Sequence, residues 1–534
     1  VANELVERLH PQLLQWFTAT FGEFTHAQQL CVPAVLDRQS ILLTSPTGSG
    51  KTLAGFLGVF DFVLRKIDRN ESLEGVQCIY VSPLRALAYD IEKNLRAPIA
   101  GMSMEKQLRI HLRTGDTTQA NRAKFRKEGA EFLVTTPESL AVMLAQESYV
   151  AHLRKCQFVI VDELHSFAGN KRGADLTISL ERLEAIRRST FPLCRIGLSA
   201  TAAPLDLLTR FLVGTDRPCR IAEAQIEKKS IVEVFSPIRR DPYPSAGYTG
   251  VRLYAELADL IRRQQSVLVF TNVRSAAEQI GLRLRELLPE LSDQIETHHA
   301  SLDRSVRLEV EDRLKNGELR AVVCSSSLEL GIDIGAVDLV VMVATPKGVS
   351  RAIQRIGRSG HSLNRTSHGV LVATNINDLV EATVTAKLVR EHALDPIRIQ
   401  EKPVDVVAQH VVGMAALAPI KIDDAFATIT RAYPFRDLTR EEFDRILNYL
   451  EGGGQSLARQ YSNLFGKIKI DKSEPNRRVI SIAHPRIARE FLVNIGTIVS
   501  EGHVDVLLKR RRLGSVEENF IKQLNIGDLF VLAG

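Results

Sequence analysis

A chain of 534 residues, 45% hydrophobic and 25% charged, holds too much apolar side chain for wholesale disorder and has room for about three to four domains. Its longest strictly apolar runs, Leu140–Ala145 and Leu339–Ala344, fall far short of the roughly 18 residues a spanning helix needs, so no membrane partner is expected. Lys and Arg total 69 against 63 Asp and Glu, and the net charge of +6 suits a polyanionic partner without demanding one.

The six cysteines, at 31, 78, 156, 194, 219 and 324, form no CxxC pair. That argues against a disulfide framework or a cysteine metal site and suits a reducing, cytoplasmic setting. The chain starts at Val1 without methionine and stops just after the apolar Leu529–Ala533 run, which reads as a fragment of something longer.

From about residue 38 to 220, short β-rich runs alternate with amphipathic helical stretches: Ile41–Thr44, Cys78–Val81, Leu108–Leu112, Phe132–Thr135, Phe158–Asp162 and Ile196–Leu198. Apolar strands separated by helices predict a parallel sheet covered on both faces. A linker is expected in Ser236–Gly250, which holds Pro237, Pro242, Pro244, Gly247 and Gly250. A second cycle follows, with strands at Val267–Phe270, Ile295–His298, Ala321–Cys324, Leu339–Val343 and Val370–Val372. Two such cycles mean two α/β domains.

After about residue 385 the pattern changes. Val404–Leu417, Ile422–Tyr433 and Thr439–Leu450 read as helices, the last with Thr439 as N-cap and Gly452–Gly454 past its end. Ile468–Ile470 and Val479–Ile482 could pair as a hairpin. Three helices and a hairpin are the plan of a winged helix, though a generic helical insert would look similar. From Val493 onward strand-like segments suggest an incomplete β-rich domain. The expected domains are thus 1–225, 226–384, 385–455 and 456–534.

Ser45-Pro-Thr47-Gly48-Ser49-Gly50-Lys51-Thr52 sits between a predicted strand and a predicted helix. This Walker A arrangement lets backbone N–H groups face phosphate oxygens at a helix N-terminus. Lys51 would reach the β/γ-phosphates of ATP and Thr52 would offer its hydroxyl to Mg²⁺. Phe158-Val-Ile-Val-Asp162-Glu163-Leu-His165 ends an apolar strand in two carboxylates. Asp162 can hold Mg²⁺ through water and Glu163 can deprotonate the attacking water. Gln28 could bond an adenine edge or lie on a helix surface. His165 could relay between sites, or be only a cap or a core histidine.

In the second cycle Gln354-Arg355-Ile-Gly-Arg358 places two arginines three residues apart on one helical face. Guanidiniums supplied to a γ-phosphate stabilise the charge of phosphoryl transfer. Ser199-Ala-Thr201 and Ser325–Asp333 follow strands, as do Pro83–Leu87, Arg113–Asp116, Thr135–Glu138 and Thr271–Arg274.

This ordered series, from residue 25 to 361, resembles the superfamily 2 helicases. Gln28 matches a Q-type motif, Lys51 motif I, Pro83 and Arg85 motif Ia, and Thr136 and Pro137 motif Ib. Asp162–His165 match motif II, Ser199–Thr201 motif III, and Phe270–Asn272 motif IV. Gly331 and Asp333 match motif V, and Gln354–His361 motif VI. The Asp-Glu-Leu-His motif II, the Gly-His361 ending and the segments Pro403–Gln409, Ile495–Val499, Leu513–Glu518 and Gly527–Phe530 resemble the Lhr (large helicase-related) family, most of all its ligase-associated branch.

The resemblance implies two tandem RecA-like domains, a winged helix and the start of a β-rich module. It implies an ATP-dependent, 3′-to-5′ translocase on single-stranded DNA that unwinds DNA and RNA–DNA duplexes in repair, near the nucleoid of a bacterium or archaeon and alongside a DNA ligase. Gln28, Thr47–Thr52, Gly331 and Asp333 would bind the nucleotide. Lys51, Asp162, Glu163, Gln354, Arg355 and Arg358 would carry hydrolysis, and His165, Ser199 and Thr201 would couple it to movement.

Thr114, Gly115, Thr136, Thr271, Asn272 and Ser326 can donate to phosphates and Arg85 and Arg274 can add charge, and the resemblance counts Pro83 and Pro137 among the nucleic-acid residues with them; such contacts carry little base specificity. Only about 20 residues separate motifs V and VI, so a strand-splitting hairpin is not expected between them. An RNA helicase of the same superfamily, a remodelling or annealing factor that does not unwind, and a nucleotide-gated clamp are the alternatives. The complete hydrolytic set argues against the clamp.

Overall fold

The computed structural model describes residues 2–534 except 47, 201, 225–228, 238–245, 330–334, 336, 361–365, 454–465, 472, 474–477, 497–502, 509–510, 518–520, 522–526, 529 and 531–534. The chain forms two compact units, the first from residues 1–45, 49–224 and 396–499, the second from 46–48, 225–395 and 500–534. No helix among the described residues is long and apolar enough to cross a membrane.

The first unit is built on seven parallel strands: β1 (Ile41–Thr44), β2 (Cys78–Val81), β3 (Ile110–Arg113), β4 (Phe132–Thr135), β5 (Phe158–Val161), β6 (Cys194–Ser199) and β7 (Arg220–Glu223). Their order is β3-β4-β2-β5-β6-β1-β7. Side chains alternate across the sheet, so Leu43, Tyr80, Val134 and Ile160 enter one apolar core and Leu42, Ile79, Leu133 and Val159 the other. Burial on both faces is why the central strands read as unbroken apolar runs. The edge strand β7 buries only Ala222 and so gave no such run.

The second unit carries six parallel strands: β8 (Ser230–Phe235), β9 (Val267–Phe270), β10 (Ile295–His298), β11 (Ala321–Cys324), β12 (Leu339–Val343) and β13 (Ser367–Val372), in the order β10-β11-β9-β12-β13-β8. The half-exposed edge strand β8 was also silent in the sequence. The linker expected over Ser236–Gly250 is shorter than that, because a helix already starts at Ala246 and runs to Arg263; 238–245 lie outside the described residues.

Three helices, Val404–Leu417, Ile422–Thr430 and Arg440–Gly452, join a small antiparallel sheet of β14 (Ile420–Lys421), β15 (Ile468–Asp471) and β16 (Val479–Ile482). Thr439 caps the third helix in a reciprocal box with Glu442, and Gly453 ends it at φ +78°. The second helix stops at Thr430, three residues short of the expected Tyr433, because Tyr433–Phe435 turn into a 3₁₀ segment around Pro434.

This module packs within the first unit on helix Lys171–Ile186, whose Ala174 and Ile178 share a core with Val406, Val411, Phe435 and Phe443. Behind Val493 lies a further hairpin, β17 (His503–Leu508) with β18 (Arg511–Glu517), but the strand-like stretch is preceded by a helix, Pro485–Val493. Arg512 pairs with Asp303 and Asp505, while Lys509 and Arg510 lie outside the described residues.

Gly58 lies in helix Lys51–Asp68, where a Cβ would come 2.6 Å from Val35 Cγ1. Gly58→Ala should therefore destabilise the protein by about 1–3 kcal/mol despite the better helix propensity of alanine. Urea unfolding should show the loss, and adding Val35→Ala should restore part of it; an unchanged midpoint would contradict the close packing.

Candidate nucleotide and nucleic-acid site

β1 delivers the chain to the phosphate loop. Ser45 N–H donates to Ser199 O on β6 at 3.1 Å, and the Ser45 and Ser49 hydroxyls hydrogen-bond each other across the loop. Gly48 and Gly50 hold φ of +80° and +77°, the left-handed values that glycine adopts without a Cβ penalty. Gly50 precedes helix Lys51–Asp68, so the free N–H groups of its first turn open toward the loop. Thr52 is half-buried in that turn, and Thr47 lies outside the described residues.

Gln28 braces this loop from behind. Its carbonyl oxygen accepts the Thr25 N–H at 2.9 Å in a capping box, and Thr25 Oγ1 donates to Ser49 O at 2.9 Å. A side chain at Gly50 would come 2.9 Å from Gln28 Nε2. Buried in this way, Gln28 is not the exposed helix-surface glutamine that the sequence allowed.

The acidic pair follows β5. Lys51 Nζ donates to Glu163 Oε1 at 3.2 Å, with both side chains buried. Asp162 Oδ1 accepts the Glu163 N–H at 2.9 Å, and Oδ2 accepts the Tyr80 hydroxyl. Burial, then the Glu163 charge, push the Asp162 carboxyl up to about 6, against the opposing pull of Lys51 and Tyr80. Glu163 itself sits at φ +49°, a conformation that costs a non-glycine residue about 1–3 kcal/mol and is kept only where the surroundings enforce it.

His165 Nδ1 lies 3.0 Å from Ser199 Oγ and 3.7 Å from Glu163 Oε2, and Ser199 Oγ donates to Ala200 O at 2.8 Å. The hydroxyl proton is thus spent on Ala200, so Nδ1–H is the donor to Ser199. His165 therefore joins the acidic pair to the loop after β6 and is not a mere cap. Thr201 lies outside the described residues. Tyr80 escaped the sequence reading. Its signal was a lone hydroxyl in the fully buried strand Cys-Ile-Tyr-Val.

In the second unit the arginine pair is arranged differently from expectation. Helix Val349–Ile356 ends before Arg358; Gly357 is its C-cap and Gly360 turns the chain at φ +67°. The two arginines therefore do not share a helical face. Arg358 lies buried in the turn, its N–H donating to Arg355 O at 3.0 Å. Arg355, also buried, gives two hydrogen bonds to Glu329 Oε2, at 2.9 and 3.1 Å, and stacks 4.9 Å over the Phe270 ring. Glu329 also binds Arg351 at 2.9 Å. Glu329 was missed, although it is the one carboxylate in the Ser325–Glu329 run after β11. Gln354 is half-buried on the helix, and Gly331, Asp333 and His361 lie outside the described residues.

The candidate nucleic-acid residues divide by exposure. Arg85, Gly115, Asn272, Arg274 and Ser326 are exposed; Pro83, Thr114, Thr136, Pro137 and Thr271 are buried. In the first unit Arg85 pairs with Asp116 at 2.5 Å beside Gly115, and Pro83 O accepts from Arg172, which also grips Glu138. Thr136 Oγ1 bonds Ser139 at 3.3 Å. In the second unit Thr271 Oγ1 donates to Val273 O at 2.9 Å, Asn272 Nδ2 to Thr345 O at 2.9 Å and Arg274 to Ser301 Oγ at 2.9 Å. Thr136 and Thr271 are thus tied into their loops, Thr271 also reaching Cys324 O on β11 at 3.3 Å.

Comparison with known proteins fits this geometry. Residues 25–208 match the DEAD/DEAH box helicase domain, 252–362 the helicase conserved C-terminal domain, and 387–534 the winged helix domain of large helicase-related proteins. The chain is 34% identical to Mycobacterium smegmatis helicase Lhr in a structure bound to ssDNA and AMP-PNP, with a TM-score of 0.81, covering 99% of this chain and 67% of that one. The chain belongs to the Lhr helicase family.

The ATP-dependent helicase Lhr-Core of Methanothermobacter thermautotrophicus is 41% identical over 549 residues, and the Lhr helicase/uracil glycosylase of Escherichia coli 33% over 585. This Lhr chain spans 62% of the former's length and 37% of the latter's. Helicase MrfA bound to DNA, 22% identical with a TM-score of 0.75, covering 96% of this chain and 68% of that one, shares the fold. The two parallel sheets are the paired RecA-like domains of such helicases.

Because Asp162 titrates at about 6 in the folded state against 3.8 for the free side chain, ionising it costs the fold stability. That cost is absent below the unfolded value and is complete once the pH has risen above about 6. In chelator and without nucleotide, Asp162→Asn should melt about 2–4 °C above the parent protein at pH 8. The gap should close by pH 4; an equal gap at both pH values would refute the buried ionisation.

Proposed function

We propose that this chain is the motor of an ATP-driven helicase that moves 3′-to-5′ on single-stranded DNA and separates DNA and RNA–DNA duplexes during repair, beside a DNA ligase in the manner of the ligase-associated branch. The observation that carries the reading is the buried Lys51–Glu163 contact, which ties the phosphate loop to the acidic pair. Without nucleotide, Lys51 neutralises Glu163. When a triphosphate enters the loop, Lys51 transfers to the β/γ-phosphates and leaves the Glu163 carboxylate to take the proton of the attacking water. Water oxygen then bonds the γ-phosphorus as its bond to the β–γ bridging oxygen breaks.

The loop's left-handed glycines and open N–H groups fit a triphosphate, and the hard oxygen donors Thr52 and Asp162 fit Mg²⁺. The ion would supply charge neutralisation on the phosphates. Tyr80 and the Glu163 N–H fix Asp162 for that contact. Gln354, Arg355 and Arg358 bring donors and positive charge to the transferring group, with Glu329 fixing the orientation of Arg355. His165 and Ser199 pass the state of Glu163 to the loop after β6. Arg85, Gly115, Asn272, Arg274 and Ser326 offer exposed, sugar-blind contacts to a strand.

Arg358→Ala should lower kcat about 10³–10⁵-fold with nucleotide affinity nearly unchanged, as for other supplied arginines; an unaltered kcat removes Arg358 from the chemistry. Lys51→Ala should abolish turnover altogether. With 3′- and 5′-tailed DNA–DNA and RNA–DNA duplexes, strand displacement should require ATP and the 3′ tail. Single-stranded DNA should stimulate ATPase with an affinity that falls steeply with salt. Stimulation by RNA alone would favour an RNA helicase, and ATPase without displacement a remodelling factor.

A further inference from the structure

The hydrolytic residues gather where the strands of the first sheet end. At the opposite edge, where the strands begin, lies a cavity of about 620 Å³. Its walls come from the residues before β1, the far end of helix Lys51–Asp68, the start of β5 and the turn before β6. Lys66, on the cavity wall, lies fifteen residues after Lys51 on that helix, so about 22 Å of rigid backbone separates the two.

Five cations line the cavity, Arg8, Arg38, Arg65, Lys66 and Arg69, against two carboxylates, Asp61 and Glu71. Three of the cations are paired with acids: Arg8 with Asp37 at 2.5 Å, Arg65 with Asp61 at 2.7 Å and Arg69 with Glu71 at 3.7 Å. The other two donate to neutral acceptors, Arg38 to Gln157 Oε1 at 2.7 Å and Lys66 to Ser72 O at 3.3 Å. Both lie over the same ring, Phe62, at 5.1 and 5.6 Å. Burial lowers the proton affinity of each, and for Lys66 the Glu71 carboxylate opposes this while the Arg38 charge adds to it; an anion beside both cations would offset their desolvation. Arg38 holds φ +57° as the left-handed residue that ends helix His26–Leu36, its N–H donating to Val35 O at 3.0 Å and the Gln39 N–H to Ala34 O at 2.8 Å, which fixes its backbone at the cavity wall.

The aromatic wall adds a second requirement. The Arg38 guanidinium stacks on Phe158 at 5.2 Å and on one face of Phe191 at 5.0 Å. Phe191 remains 59% exposed, so much of this ring is open to solvent beside Arg38. An anion with a flat ring satisfies both features at once, whereas an acidic peptide would meet the charges and leave the ring bare.

The geometry points to this cavity as a second ligand site, distinct from the hydrolytic one, for a nucleoside phosphate whose base stacks on Phe191 and whose phosphate lies between Arg38 and Lys66. The ligand could be a free nucleotide or the phosphorylated end of a strand, which share this chemistry.

Isothermal titration of the full chain, with its hydrolytic site saturated by AMP-PNP and Mg²⁺, separates the two. AMP in one arm and a 5′-phosphorylated dT tetramer in the other are each titrated into the parent, Lys66→Gln and Phe191→Ala proteins. The signal counted is the part that the two substitutions remove. Both positions reach solvent, and melting curves confirm that the variants fold. One equivalent of AMP, weakened tenfold or more by either substitution, supports a free nucleotide; the same behaviour with the tetramer alone supports a strand end. The site is overturned if neither arm shows a component sensitive to both substitutions, or if hexaglutamate displaces AMP at equal concentration. ATPase of Phe191→Ala should equal that of the parent, so failure here is distinct from failure of the motor reading, which Lys51→Ala tests.

Discussion

Three buried charges meet at the end of β5, and the geometry of the first unit follows from keeping them there. Lys51, Asp162 and Glu163 are all nearly inaccessible, and two like charges adjacent in sequence would be expelled or neutralised without compensation. The structure compensates them from four directions: the Lys51 ammonium, the Tyr80 hydroxyl from β2, the Glu163 amide, and His165 linked to Ser199 on β6. Lys51, Tyr80 and Ser199 arrive after or on β1, β2 and β6, while the Glu163 amide and His165 follow β5, so the parallel sheet is the device that assembles the cluster. The left-handed Glu163 is the local cost of turning two consecutive carboxylates toward one point.

The second unit solves a similar problem with opposite sign. Arg355 and Arg351 converge on Glu329, and the Phe270 ring covers one face of the Arg355 guanidinium. The carboxylate gives Oε2 to Arg355 and Oε1 to Arg351, so one buried acid fixes the orientation of two guanidiniums. The exposed residues Asn272, Arg274 and Ser326 follow strands of the same sheet, with Asn272 bonded to Thr345 O and Arg274 to Ser301 Oγ.

The helical module after residue 396 belongs physically to the first unit. Besides its apolar core, a buried polar chain runs from Asp175 to His410 at 3.0 Å and from His410 to Arg182 at 3.2 Å, and Arg182 caps Leu144 O at 2.8 Å. Burial lowers the Arg182 guanidinium to about 10 and holds His410 below its ordinary value, which keeps the imidazole neutral between an acid and a base. Such a network fixes orientation more than it adds stability, because each member is costly to leave unpaired.

The sequence by itself determined the two α/β cycles, the phosphate loop, the acidic pair and the helices and hairpin of the C-terminal module, because each is a local pattern: apolar runs buried on both faces, glycines where the chain must turn left-handed, a capping box at Thr439. It was silent on β7 and β8, whose edge positions leave half their side chains in solvent and erase the apolar signature. It misplaced Arg358 on a helix that the Gly357 and Gly360 turn had already ended. Tyr80, Glu329 and the loop-bracing role of Gln28 were decided only by the tertiary structure. Tyr80 and Glu329 bond partners at least 22 residues away and Gln28 packs behind Gly50, and no local pattern records which distant group a side chain will meet once the sheet has closed.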